Sequence, residues 1–205
     1  MNDPEPKTIE KGKYVHTKSG KMSKITFITG NAHKAEQYEK LLGVPMTHQK
    51  IDIDEIQSAD PAEVARRKVE MAYEIIKKPV IVDDFSFCME DLNNLPGPFT
   101  KFFVASEDSL EKLCRIADIL ESRRANLVGV IAYKDAERTE VFVNKLPGAV
   151  AMQPRGSRGI ATDFIFEPDG YDGLTRAELD EKEYDEVYVK VRPILVVREF
   201  LKSID

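Results

Sequence analysis

Lys24–Lys34 reads KITFITGNAHK, and the way Ile25–Ile28 run into Thr29-Gly30-Asn31 decides how the rest of the chain is read. The β-branched and aromatic residues suit a buried strand, and helix-like sequence follows from His33 to Leu42. Glycine permits a tight turn between them. Exposed amides at a helix N-terminus, with the Lys34 ammonium nearby, suit phosphate oxygens. The stretch is not a Walker loop, which needs more glycines and a Gly-Lys-Ser/Thr ending. An ordinary capped strand-to-helix turn accounts for the same residues, with His33 as a solvated helix position.

Outward from this turn, Val44 to Ile53 reads as a second strand. Asp60-Pro61 is an N-cap and first-turn pair for a helix reaching about Ile76, with Val64, Lys68, Met71 and Ile75 near one face. Pro79 to Val82 reads as a third strand ending at Asp83-Asp84, and Asn93 to Pro98 as a turn cluster. Ser109 to Leu120 has helical spacing. Leu127 to Tyr133 and Glu140 to Val150 read as long antiparallel strands around a turn at Lys134–Arg138, and Phe164 to Phe166 as a short strand. Pro193 opens a last helix, with Leu195, Val196 and Phe200 expected to face inward. Alternating helices and strands followed by a long hairpin predict an α/β fold with a central mixed sheet and flanking helices.

Composition narrows the function classes. At about 150 residues per domain, 205 residues predict one elaborated domain. Residues 1–23 are polar and aperiodic and are expected to form a flexible extension or an added edge segment, with 24–205 carrying the domain. The formal charge of −6, with no long basic run, argues against a dedicated nucleic-acid partner. The longest strongly apolar run, Leu127–Ala132, is far short of the ~20 residues of a membrane-spanning helix. Cys88 and Cys114 make neither a disulfide framework nor a zinc knuckle and read as small buried side chains. With no apolar secretory core near the N-terminus, a soluble cytoplasmic protein is expected.

Two further constellations carry possible chemistry. Asp83 and Asp84 at a strand end, with Glu55 in the loop before the long helix, could hold a magnesium ion that keeps several waters and binds phosphate. One of these acids could instead orient a water as general base, and a solvated acidic turn is the plainer alternative. Lys68, inside the long helix, either snorkels out of the core or points at an anion. Leu95–Phe103 reads LPGPFTKFF; two prolines stiffen the turn, and Phe99, Phe102 and Phe103 either wall a pocket for a flat base or pack a core.

Taken in order, T-G-N-x-x-K, two acids after the third strand, and LPGPFTKFF resemble the inosine triphosphate pyrophosphatase family. Pro154-Arg155-Gly156, Phe166-x-Pro168-x-Gly170-Tyr171 and Thr175-x-Ala177-Glu178 follow in the family's order. The resemblance spans roughly residues 24 to 203. It implies an elongated α/β domain with a cleft between two lobes, usually a homodimer. It also implies magnesium-dependent attack of water on the α-phosphorus of a non-standard purine nucleoside triphosphate, giving a monophosphate and pyrophosphate. By position it implies that Thr29, Asn31 and Lys34 cradle the triphosphate and that Lys68 reaches phosphate. Glu55, Asp83 and Asp84 correspond to the metal site, with Asp84 the water-activating base. Phe102 is expected on the substrate side.

The C-terminal third departs from the family. Its F-G-W/Y-D-P base-reading segment is here Ile160-Ala161-Thr162-Asp163-Phe164, which keeps only Asp163 as a base-edge partner. Ungapped alignment puts Tyr184 at the family's lysine and Tyr188-Val189-Lys190 at its Ser-His-Arg triplet; Lys182, Lys190 or Arg192 can substitute after a small slip. The expectation is therefore a nucleoside triphosphate pyrophosphatase with altered base selectivity. A catalytically weak relative that binds nucleotides as a sensor or partner module is the alternative, followed by a hydrolase of another phosphorylated compound.

Overall fold

A computed structural model describes residues 24–204 of the chain; the expected extension at 1–23 lies outside the described residues. β1 (Ile25–Ile28) is buried at every position, as its apolar composition requires. The N-terminus of α1 (Ala32–Leu42) is capped by the Asn31 side chain, which accepts from Lys34 N, and Gly43 ends the helix at φ +71°, where a side chain would be strained. β2 (Met46–Gln49) is shorter than expected. Residues 50–60 then run irregularly to Asp60, whose side chain caps α2 (Pro61–Ile76).

β3 (Val80–Met89) does not stop before the aspartates but runs through them. Asp83 and Asp84 resemble a turn in sequence, yet their backbones pair in register with Ile131 and Val130 of β5 (Arg124–Lys134). β4 (Leu95–Gly97) pairs with the far end of β3, and α3 (Thr100–Phe103) and α4 (Ser109–Asp118) follow. β6 (Thr139–Val150) completes the long hairpin, and β7 (Phe166–Pro168) lies two residues later than the short strand expected at 164–166. The seven-stranded sheet has the order β2-β1-β3-β5-β6-β7, with β4 off β3. β2, β1 and β3 are parallel and the remaining pairings antiparallel. The central sheet is therefore mixed, and helices cover both faces.

On one face, Phe27, Ile81 and Ile131 pack with Tyr38 of α1 and with Val197 and Leu201 of α6 (Ile194–Ser203). On the other, Val82, Val128 and Val130 pack with Ala65, Val69 and Ala72 of α2. Farther along, Phe87, Leu127 and Phe166 enclose Leu113 of α4. Two helix faces differ from the expected ones. In α2 the buried stripe is Val64, Ala65, Val69 and Ala72, while Met71 and Ile75 are exposed, so Lys68 lies at the edge of the core. In α6, Ile194, Val197 and Leu201 are buried, Phe200 is half-buried, and Leu195 and Val196 face outward. Ile194, Val197 and Leu201 form one i, i+3, i+7 stripe, and it is this stripe that packs on Phe27, Ile81 and Ile131, leaving Leu195 and Val196 on the outer side. α5 (Glu181–Val191), capped by Asp180, crosses the sheet opposite Gly129. A Cβ at Gly129 would stand 2.4 Å from Val191 O, so the glycine is what lets the helix end approach β5.

Candidate active site

The sheet delivers neighbouring side chains of β3 to opposite faces, and this organises the charged groups. Asp83 faces α1 and α5. Its carboxylate is 1% exposed and lies 2.6 Å from Lys34 Nζ and 3.5 Å from Arg192 Nε. Burial would raise the Asp83 carboxyl, but Arg192 and Lys34 together hold it below the usual aspartate value. Asp84 faces α2, where its Oδ1 lies 2.7 Å from Lys68 Nζ. The same Nζ lies 3.0 Å from Glu55 Oε1, and Glu55 also pairs with Lys101. Burial raises the Asp84 carboxyl and outweighs the lowering effect of Lys68. The Lys101 hydrogen bond is the largest influence on Glu55, which is held low.

Three cavities follow this charged chain. The first, about 770 Å³, is walled by Thr29, Gly30, residues 50–57, Lys68, Lys101 and Phe102. A small one of about 30 Å³ lies between Glu55, Asp84, Phe85 and Pro98. The third, about 350 Å³, is bordered by Phe85, Lys101, Asp163, Arg176, Tyr184, Tyr188 and Arg192. Glu55 borders the first two, Phe85 the last two, and Lys101 both large ones. A cavity of about 10–15 Å³ already admits a water, so the small one has room for a water-sized occupant. Asp84 Oδ2 is buried and has no hydrogen-bond partner.

In the third cavity, Asp163 Oδ1 accepts from Arg176 Nη1 at 2.6 Å, and Oδ2 accepts from Tyr184 OH and Ile160 N, each at 2.9 Å. Arg176 stacks on the Tyr184 ring at 4.1 Å and Arg192 on the Tyr188 ring at 3.7 Å. The two tyrosines, four residues apart on α5, present one aromatic face to the cavity. Burial, opposed by Arg176, pushes the Tyr184 phenol up to about 12.

This fold has counterparts among known proteins. The model of the Ham1 family matches residues 25–194. The chain belongs to the Ham1 family. It is 32% identical to inosine triphosphate pyrophosphatase 2 of Trypanosoma cruzi over 178 residues, 85% of this chain and 90% of the relative. It is 30% identical to the inosine triphosphate pyrophosphatase of Kluyveromyces lactis over 186 residues, 86% and 95% of the two chains. A Ham1 protein of Coxiella burnetii superposes with a TM-score of 0.78 at 22% identity, covering 89% of this chain and all of that one. A nucleoside-triphosphatase (dITP/XTP pyrophosphatase) of Mycobacterium abscessus superposes at 0.72 and 24% identity, covering 82% and 94%.

Within this Ham1 chain the expected site residues are gathered only in part. Thr29, Lys68, Glu55 and Phe102 border the large cleft, and Asp84 the small cavity beside it. Asp163 and Arg192 border the third cavity. Lys34 is turned across the sheet to Asp83, and the Asn31 side chain is spent on capping α1. Asp83 does not join Glu55 and Asp84, because adjacent strand residues point apart; among the described residues no three His, Cys, Asp or Glu side chains converge as a metal cluster. Lys182 is exposed, and Lys190 pairs with Glu186 and Tyr171 on the surface, so neither borders the third cavity. Lys101 and Arg176 were not foreseen, and Tyr184 and Tyr188, placed by alignment where the family has a lysine and a serine, were not expected to line a cavity themselves. The four-residue spacing of the tyrosines after Asp180 was the available signal for α5; Arg176 carries none.

Proposed function

We propose that the chain hydrolyses a nucleoside triphosphate to the monophosphate and pyrophosphate, with magnesium, and with base selectivity different from that of its named relatives. The observation that carries this reading is the small cavity bordered by Glu55 and Asp84, which shares lining residues with a lysine-lined cleft and with an aromatic pocket, beside a buried Asp84 Oδ2 that has no hydrogen-bond partner. The cleft suits the polyphosphate, through Lys68, Lys101 and Thr29, and the pocket suits the base.

The donor set fits magnesium, which commonly takes one or two carboxylates and fills its shell with water and phosphate oxygens. Glu55 would hold it, with phosphate oxygens and water completing its shell and Asp84 beside it as base rather than ligand, and when bound it would supply charge neutralisation on the phosphates. Asp84 is assigned as general base: with Oδ1 on Lys68, Oδ2 is free to accept a proton from a water, and its raised proton affinity suits that task. The water oxygen bonds to the α-phosphorus, the bond from that phosphorus to the bridging oxygen breaks, and the electron pair leaves with pyrophosphate. Lys68 and Lys101 offset the charge that accumulates.

A second reading, a nucleotide-binding module with weak catalysis, draws support from Lys68 lying on both Glu55 and Asp84. One experiment separates them: a panel of nucleoside triphosphates with and without magnesium, scored by product. Pyrophosphate appearing only with magnesium is the expected result. Phosphate in its place points to another hydrolase, and neither product above blank points to the binder.

A further inference from the structure

In the third cavity Asp163 is 4% exposed, and three donors from its own chain occupy its two oxygens. The arrangement is tightly built. Gly159 has φ +84°, and a Cβ there would lie 2.2 Å from Asp163 Oδ2 and 2.6 Å from Tyr184 OH, so a side chain would prise the two apart. Arg176, with its side chain 6% exposed, is clamped between Asp163 and the Tyr184 ring, and its Nε and Nη2 remain without partners. A carboxylate only accepts hydrogen bonds. Placed in a base pocket, it would favour bases with a ring N–H, such as oxopurines, over adenine, whose corresponding ring nitrogen is a bare acceptor. Here three of its roughly four acceptor sites are taken, both oxygens are engaged, and the group is 4% exposed.

We propose that Arg176 sets the base tolerance of this chain: by occupying Asp163 together with Tyr184, it prevents the carboxylate from reading the ring N–H of a nucleobase. The proposal rests on the reading of the third cavity as the base site. The cavity then accepts bases by shape and by stacking on its aromatic wall, with little distinction between oxo and amino edges. Arg176 is a specificity-determining residue, acting through Asp163. Replacing it exposes one carboxylate oxygen to the ligand.

The test measures binding of IMP and AMP to wild type, Arg176→Met, Arg176→Lys and Tyr184→Phe by calorimetry, and in parallel kcat/KM for ITP and ATP. Wild type is expected to bind the two monophosphates within about tenfold of each other. Arg176→Met is expected to shift the ratio toward IMP by about tenfold or more, the worth of one charge-assisted hydrogen bond. Arg176→Lys restores the wild-type ratio, and Tyr184→Phe shifts it in the same direction by a smaller factor. If Arg176→Met does not fold, Tyr184→Phe decides the matter. An unchanged ratio in the folded variants overturns the proposal, as does a thousandfold preference already present in wild type or failure of wild type to bind either monophosphate. Absence of turnover with intact binding refutes the pyrophosphatase reading alone, because the binding ratios still decide the role of Arg176.

Discussion

Asp83 and Asp84 are consecutive in sequence but serve opposite faces of the sheet: Asp83 holds Lys34 at 2.6 Å in the core beneath α1, and Asp84 holds Lys68 at 2.7 Å beside the cleft. Burial and charge push their proton affinities apart, Asp83 down and Asp84 up. Two carboxylates with divergent environments are suited to divergent tasks, one structural and one chemical.

The chemical task is tested at Asp84. Asp84→Asn keeps the shape and one hydrogen-bond acceptor but cannot take a proton. Turnover should fall at least about a hundredfold, within the range of general-base contributions, while nucleotide affinity measured by calorimetry stays within a few-fold. Unchanged turnover would remove Asp84 from the mechanism.

Asp83 should behave differently. Asp83→Asn leaves Lys34 and Arg192 beside a neutral group in a buried place. Removing one partner from such an arrangement costs about 3–5 kcal/mol, which urea denaturation would report. The magnesium concentration giving half-maximal activity should not move. A shift of tenfold or more would make Asp83 a metal ligand.

The order of motifs made the fold legible because Thr29-Gly30-Asn31, Asp60-Pro61 and the hairpin of Leu127–Tyr133 and Glu140–Val150 are local signals, fixed by turn chemistry, capping and alternation. The two aspartates were legible as a charged pair but not as occupants of opposite faces. Their polarity suggested a turn, whereas pairing with β5 and β4 continues the strand through them. Lys182 and Lys190 carried the right charge on the right helix, yet side chains two residues from Tyr184 and Tyr188 point away from the cavity those tyrosines face. The partnership of Arg176 with Asp163 spans a loop and β7, and no local pattern in the sequence encodes it.

Gly129 tests how α5 is positioned. Gly129→Ala places a methyl 2.4 Å from Val191 O, a backbone atom with no rotamer to escape through. Overpacking of this kind costs about 1–3 kcal/mol. Because Arg192 directly follows the displaced helix end, KM for the nucleotide should rise along with the loss of stability. An increase in stability would mean that α5 does not rest on β5 as described.

Glu178 provides a pH signature distant from the charged cleft. Its Oε2 accepts from Thr175 N at 2.8 Å, Arg155 Nε at 3.0 Å and Thr175 Oγ1 at 3.1 Å, tying the 155 loop to the segment that carries Arg176. Burial would raise the carboxyl, but the Thr175 amide and Arg155 outweigh it and hold the group below the ordinary glutamate value. A carboxyl depressed by folding contributes stability that is complete above its unfolded value, about 4.3, and is lost as pH falls through the lower folded value. Glu178→Gln lacks this titration. It should therefore be less stable than wild type by about 1–2 kcal/mol at neutral pH, the scale of hydrogen bonds to a charged acceptor that remains partly solvated. The difference should hold above the unfolded value of about 4.3 and close as pH falls through the lower folded value, where the wild-type carboxylate takes up its proton. Thermal melts of both proteins across that range would show the curves converging on the acid side. A gap that does not narrow on the acid side would mean that Glu178 contributes through packing rather than through its charge.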